Sequence, residues 1–253
     1  MTGKTVLITG GAKRLGKAMC ERFAQAGWHV IIHYNSSAEA ADELASSLPS
    51  AETLQCDLSD PEAGAAMVRE TASRQDDWRC LVNNASTFKA DEVTALDPAA
   101  NQRNMIVNAV TPALMAQTYL AEARSKAGRR VIQFTDQKLA NLNPDFFSYT
   151  MSKAATRVAA RMLSMAHEAD DRVFTLAPGA ILPSHDQTEE EAERSHRMNL
   201  LERRTGTREI ADAALFLAEG PLASGQAVFV DSGQHLLQQD RDVIYLEREG
   251  RSA

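Results

Sequence analysis

Tyr149 and Lys153 stand four residues apart in the run Ser148-Tyr149-Thr150-Met151-Ser152-Lys153, a spacing that puts both on one face of a helix. A free phenol titrates near ~10 and is a poor acid or base at neutral pH. An ammonium group held nearby favours the phenolate and lowers that value. Tyr-x-x-x-Lys is therefore one way to build a proton donor that works near pH 7. The spacing alone also describes a half-buried Tyr beside a solvated Lys, so the pair gains meaning only from what surrounds it. Just upstream, Val131-Ile132-Gln133-Phe134-Thr135-Asp136 reads as a buried strand, followed by a loop into the helix.

The elements that would position this pair begin at the N-terminus. Thr5-Val6-Leu7-Ile8-Thr9 reads as a buried parallel strand and runs into Gly10-Gly11-Ala12-Lys13-Arg14-Leu15-Gly16. A helical pattern follows, with Leu15, Met19, Phe23 and Ala26 on one face and Gly27 as the stop. Strand, Gly-rich turn and helix together aim backbone N–H groups and a helix N-terminus at a phosphate. The second strand, His29-Val30-Ile31-Ile32-His33, ends at Tyr34-Asn35-Ser36-Ser37 with no Asp or Glu. In dinucleotide folds an acid at that end holds the adenine-ribose hydroxyls of NAD. Lys13 and Arg14 in the turn, with Asn35, Ser36 and Ser37 beyond the strand, suit a ribose phosphate instead, hence NADP.

Further strands are expected at Thr53-Leu54-Gln55-Cys56, Arg79-Cys80-Leu81-Val82, Asp171 to Leu176 and Ala227 to Asp231. Helices are expected over residues 38–48, from Pro61 with Asp60 as N-cap, and over 208–218. One long helix is predicted over 100–126, kinked by Pro112, with Asn108 one turn before the proline. Asn83-Asn84, after the fourth strand, should tie loop backbone together, and Phe88 follows as an apolar residue in a polar loop. Residues 183–205 are polar, with Glu189-Glu190-Glu191 in the middle, and form a candidate lid. The charged tail, residues 237–253, is expected to be partly loose.

Strands and helices alternate through nearly the whole chain. Right-handed crossovers then give an α/β, Rossmann-type doubly wound parallel sheet of about seven strands, as a single domain over residues 1–253. The Gly-rich turn, Asn83-Asn84, Thr135-Asp136 and Pro178-Gly179 all follow strand ends and should converge on the carboxyl edge of the sheet, where such folds bind ligands. The 253 residues carry 27 Lys and Arg against 34 Asp and Glu, a net charge of −7 that argues against nucleic acid as a partner. No run approaches a membrane span, and a strand beginning at Thr5 leaves no room for a leader. Cys20, Cys56 and Cys80, odd in number and far apart, suggest neither a disulfide framework nor a metal site and fit a reducing cytoplasm.

In combination these motifs resemble the short-chain dehydrogenase/reductase family over roughly residues 3–236: Thr9-Gly10 with Gly16, Asn83-Asn84-Ala85, Asn108, Tyr149-x-x-x-Lys153 and Pro178-Gly179, in the family's order. Arg14 replaces the family's middle glycine, and Asp136 replaces its usual serine. Both replacements resemble the pteridine reductase branch, as do Lys13-Arg14-Leu15-Gly16, Asn83-Asn84-Ala85-Ser86, His33-Tyr34 and Phe88. That branch's basic phosphate ligand beyond the second strand is missing here. The resemblance implies that Tyr149 exchanges the substrate proton, Lys153 assists it and holds the nicotinamide ribose, and Asn108 positions a relay water.

The same resemblance implies cofactor contacts from Gly10, Lys13, Arg14, Leu15, Gly16, Tyr34, Asn35 and Ser36. It adds Asp57 and Leu58 at the adenine, then Asn84, Ala85, Ser86, Pro178 and Gly179. Substrate would meet Arg14, Ser86, Phe88, Asp136 and Tyr149, with Phe88 stacking on a pterin ring and Asp136 accepting its N–H groups. The implied protein is an NADPH-dependent reductase of dihydropterin or dihydrofolate, a homotetramer assembled through the helices around Asn108 and Tyr149. The alternative is a general carbonyl reductase, such as a 3-oxoacyl thioester reductase, which would expect Ser at position 136. A non-catalytic cofactor sensor is disfavoured by the intact Tyr149 and Lys153.

Overall fold

The computed structural model describes residues 3–166, 168–184 and 187–250. Its centre is one parallel sheet of seven strands in the order β3-β2-β1-β4-β5-β6-β7. The strands are β1 (Thr5–Ile8), β2 (His29–Tyr34), β3 (Ala51–Gln55), β4 (Trp78–Asn83), β5 (Arg130–Phe134), β6 (Arg172–Pro178) and β7 (Ala227–Val230). All seven expected strands form, with ends shifted by one or two residues. The central strands are buried on both faces, which is why they read as continuous apolar runs. Alternate residues of β1 serve opposite layers. Val6 and Ile8 face a core shared with α1 (Arg14–Gln25), α2 (Ala38–Ser47) and α8 (Thr207–Glu219). Leu7 faces another, shared with α3 (Pro61–Arg74), α5 (Thr111–Glu122) and α6 (Phe147–Leu163).

The chain order reverses between β1 and β4, so the loops after these two strands diverge and leave a crevice at the carboxyl edge. Thr9 and Asn84 stitch its floor: Thr9 Oγ1 accepts from the backbone N–H groups of Asn84 and Ala85 at 2.9 and 3.0 Å, and Asn84 Nδ2 donates to Thr9 O at 2.9 Å. This is the loop-tying role expected of the paired asparagines. Asp60 caps α3 as expected, accepting from the N–H groups of Glu62 and Ala63.

Two expectations need correction. The long helix over 100–126 is instead α4 (Pro98–Met105), a π-helical turn over Ile106–Val110, and α5, which ends at Glu122. Pro112 sits in the first turn of α5, where its missing N–H costs little, so the widened turn takes up the disturbance in place of a kink. Carbonyls near the disturbance find side-chain donors: Pro112 O accepts from Asn83 Nδ2 and Gln133 Nε2, and Asn108 O accepts from Thr156 Oγ1 at 2.6 Å.

The second correction concerns the tail, which is packed over its described residues. It folds back as α9 (Val243–Arg248), with Val243, Ile244 and Leu246 buried. Ile244 joins Phe146 and Tyr149 in a third apolar cluster. The segment 183–205 contains α7 (Glu189–Ser195), whose acids are paired rather than freely solvated: Glu189 and Glu193 meet Arg204, and Glu191 meets Arg248 on α9. Residues 185–186 of the candidate lid and 251–253 of the tail lie outside the described residues.

Candidate active site

A cavity of about 480 Å³ opens at the carboxyl edge of the sheet. Its walls bring together four stretches that are far apart in the sequence. Gly10, Lys13, Arg14, Leu15 and Gly16 come from the first turn, and Asn84, Ala85, Ser86 and Phe88 from the loop after β4. Asp136, Tyr149 and Lys153 follow from β5 and α6, and Pro178 and Gly179 from the end of β6. Of the other sequence candidates, Tyr34 ends β2, Asn35 and Ser36 follow it, and Asp57 and Leu58 follow β3; none of the five lines the cavity. Asn108 is buried behind it: its Nδ2 donates to Ser152 Oγ at 2.9 Å, and its Oδ1 accepts from Thr87 N at 2.8 Å.

The turn after β1 is shaped for a phosphate. Gly10 lies at φ +63°, and a Cβ at Gly16 would come within 2.0 Å of Gly10 O, so only glycine lets turn and helix approach this closely. The first turn of α1 has neither a side-chain cap nor an acidic residue, so its N–H groups are free to bind an anion. Arg14 holds a left-handed backbone, φ +54°, where the family has glycine, and its guanidinium donates to Leu182 O and Pro183 O at 3.4 and 2.9 Å. It thus fastens the start of the 183–205 segment to the turn.

Beneath the turn lies His33, which the sequence marks only as part of the branch resemblance, with no role of its own. His33 is buried, its Nδ1 accepts from Gly10 N–H at 3.1 Å, and its Nε2 faces Cys56 O at 3.1 Å. These partners require a neutral ring protonated on Nε2, and burial lowers its pKa to about 4. The available signal was an imidazole within an otherwise apolar strand just before the cofactor-side loop. His196, on the cavity wall, is also driven to about 4, chiefly by burial and then by Arg204.

Between about pH 6.5 and 4 the unfolded chain therefore binds protons that these two histidines refuse in the fold. This destabilises the fold: the loss is absent above that window, grows as pH falls through it, reaching about 3 kcal/mol for His33 and less for His196, and is constant below it. The buried carboxyls of Asp136 and Asp242, both pushed upward, act in the opposite sense. The check is nitrogen NMR of the imidazoles at pH 5.5: the His33 and His196 rings should stay neutral, and their protonation at that pH would refute the assignment.

The Tyr149–Lys153 pair differs from its expected electrostatics. Tyr149 Oη donates to Asp136 Oδ2 at 2.8 Å, while Lys153 Nζ donates to Phe134 O at 2.8 Å and stands 5.6 Å from the Tyr149 ring centre. Burial, then the Asp136 charge, push the phenol well above its ordinary value rather than below it. Burial also lowers Lys153 to about 8, although Asp136 acts against that, and raises the Asp136 carboxyl. Tyr149 is therefore a phenol poised to donate, not a standing phenolate. Asp136 also accepts from Lys138 N–H at 2.8 Å, so it fixes its loop and faces Tyr149 at once.

An aromatic floor adjoins the pair. Phe88 stacks on Phe146 with ring centres 4.3 Å apart and meets Tyr149 edge-on at 4.8 Å. Phe146 is another residue not foreseen; it sits at φ +54° immediately before α6, and its ring lies under the ammonium of buried Lys138 at 5.2 Å. The carboxylate of Asp91 accepts from Ser148 N–H at 3.1 Å and so caps the helix that carries Tyr149 and Lys153.

A family model described as enoyl-(acyl carrier protein) reductase matches residues 10–235. Dihydromonapterin reductase of Escherichia coli K12 is 27% identical over 242 residues, covering 92% of this chain and 99% of that protein. Among solved structures, the FolM alternative dihydrofolate reductase 1 of Brucella canis complexed with NADP is 36% identical, with a TM-score of 0.88 over 95% of this chain and 97% of that one. The angucycline C-6 ketoreductase LanV with bound NADP is 27% identical, with a TM-score of 0.84 over 93% and 97%. With its parallel sheet, its glycine turn and its Tyr149–Lys153 pair on one wall, the chain belongs to the short-chain dehydrogenase/reductase family, on the branch of the pteridine reductases.

Proposed function

We propose that this protein is an NADPH-dependent reductase of dihydropterin or dihydrofolate, acting as one catalytic domain. The observation that carries the reading is the Asp136 carboxylate, hydrogen-bonded by the Tyr149 hydroxyl at 2.8 Å in a cavity that Phe88 also lines. A pterin is flat, aromatic and rich in N–H donors, so it needs a ring to stack on and an acceptor at its edge. A serine at position 136 would instead suit a simple carbonyl. The likeness to reductases whose names specify dihydromonapterin and dihydrofolate supports the same reading.

NADPH, when bound, supplies the hydride; the chain supplies binding, orientation and a proton. The open N-terminus of α1 with Gly10, Leu15 and Gly16 suits the pyrophosphate, and Lys13 and Arg14 offer the charge for the further phosphate. Tyr34, Asn35 and Ser36, with Asp57 and Leu58, border the adenosine end. Asn84, Ala85, Ser86, Pro178 and Gly179, with Tyr149 and Lys153, enclose the nicotinamide end. Tyr149 Oη delivers the proton, held in place by Asp136. The Asn108 side chain braces α6 through Ser152, a positioning role. Arg14 and Ser86 complete the substrate wall.

Exposed Met151, Val158 and Met162 share one face of α6 and support self-association of the tetrameric kind. Buried, unpaired Cys20, Cys56 and Cys80 suit a reducing cytoplasm, and no described helix is long and apolar enough to cross a membrane. The test is cofactor oxidation with a dihydropterin, dihydrofolate and an acetoacetyl thioester side by side, using NADPH and NADH. We expect turnover of a pterin with NADPH preferred, the preference shrinking as salt rises. Efficient thioester reduction with every pterin inert would replace this reading with that of a general carbonyl reductase, the chemistry suggested by the likeness to the ketoreductase.

A further inference from the structure

The pterin reading leaves two charged side chains on the cavity wall without a role, Lys138 and Asp242. Asp242, Val243 and Ile244, at the start of α9, line the same cavity as Phe88, Asp136 and Tyr149. Ile244 packs with Tyr149 and Phe146, so this segment borders the reacting end rather than the phosphate turn. The Asp242 carboxylate is held firmly. Its Oδ1 accepts from Ile244 N–H at 3.2 Å, capping α9, and its Oδ2 lies 3.6 Å from Lys138 Nζ. Its own N–H donates to Asp145 Oδ2 at 2.7 Å, and Asp145 is paired in turn with Arg241. The side chain is 20% exposed, and its Oδ2 has only a long ionic contact, which leaves that oxygen free to accept from a ligand.

The charges at this end favour a neutral ligand. Asp136 and Asp242 both face the cavity, whereas Lys138 Nζ is already committed to Asp145 O at 2.6 Å and to Asp242. Lys153 is bound to Phe134 O behind Tyr149, Lys13 lies in the phosphate turn, and the guanidinium of Arg14, on the substrate wall, already donates to Leu182 O and Pro183 O. A ligand hydroxyl or amino group would meet a fixed acceptor. A ligand carboxylate would meet two negative groups and no uncommitted cation among the described residues of this wall.

We infer that Asp242 is a specificity-determining residue: it receives a hydroxyl or amino donor on the side chain of a neutral pterin and disfavours substrates with an anionic tail. The inference rests on the pterin reading and specifies which members of that class the site takes.

The test compares the wild-type enzyme with Asp242→Asn and Asp242→Ser. Both replacements can still cap α9, because Asn and Ser cap helices about as well as Asp, while both remove the charge. Thermal melting with NADPH bound checks that the fold is kept. The substrates are a dihydropterin with a polyhydroxylated side chain and dihydrofolate, whose tail is anionic. The wild type should favour the hydroxylated pterin. The variants should raise KM for it about tenfold, as expected for a lost charge-assisted hydrogen bond, and lower KM for dihydrofolate about threefold.

Opposite movement of the two KM values is the signature that a loosened α9 could not produce. Unchanged KM values, or a rise for both substrates, would overturn the inference while leaving the pterin reading intact. A wild-type enzyme inert toward both substrates would overturn the pterin reading and the inference together.

Discussion

Tyr149→Phe should lower kcat for the true substrate by ~10²–10⁴, the usual worth of a positioned general acid, while NADPH binding should change little. The ring stays packed against Phe88 and within the cluster of Phe146 and Ile244, so the change is confined to one hydroxyl. That hydroxyl is the donor to Asp136 at 2.8 Å, and its loss leaves the cavity without its proton. Because burial and Asp136 hold the phenol above its ordinary value, Tyr149 itself sets no alkaline limit below pH 10. Lys153, lowered to about 8, sets one instead: kcat/KM should fall as pH rises through that value and the ammonium discharges. Stopped-flow single turnovers with Tyr149→Phe check the first point, and a pH profile of the wild type the second. Near-wild-type kcat in the variant would assign the proton to another group.

What the sequence disclosed of this site depended on how local the signal was. Tyr149 and Lys153 are linked by helical spacing, and Gly10 to Gly16 by one turn, so both were legible in a short window. The strand order followed from alternating elements and handed crossovers, which need no side-chain detail. The role of His33 was not legible because its partners are Gly10 N–H, on another loop, and Cys56 O, beyond the neighbouring strand. Phe146 and Lys138 are assigned roles only by rings and carbonyls that the fold brings near. The tail read as loose because it is rich in charge. Its Arg248, Glu247 and Arg241 are in fact paired with Glu191, Arg194 and Asp145, and three apolar residues between them are buried. The electrostatics of Tyr149 ran against expectation for a related reason. The pair rule counts the nearby ammonium but not the burial or the carboxylate that outweigh it.

Asp136→Ser separates pterin reduction from carbonyl reduction. A serine hydroxyl can still accept from Lys138 N–H and hold the short turn there, so the loop should survive. What disappears is the charge. Without it, Tyr149 loses the acceptor and the negative neighbour that raise its pKa, and Lys153 loses the charge that opposed its fall. A pterin edge loses its acceptor, whereas an activated ketone gains a neutral donor beside Tyr149. Turnover of a dihydropterin should therefore fall roughly 10²-fold, the scale of a hydrogen bond to a charged group, while ketone turnover holds or rises.

The pH profile gives an independent reading of the same group. If the ionised carboxylate is the acceptor, wild-type activity on the pterin is present above the pKa of Asp136 and is lost as pH falls through it. Burial has raised that value, so the acid limb should lie above the ordinary carboxylate range. In Asp136→Ser the part of that limb due to Asp136 should vanish, since no titrating group remains at the position, and any remainder belongs to Asp242, also raised by burial. An acid limb that persists unchanged in the serine variant, with pterin and ketone turnover reduced equally, would mean that Asp136 only shapes its loop and that the substrate's ring is recognised elsewhere.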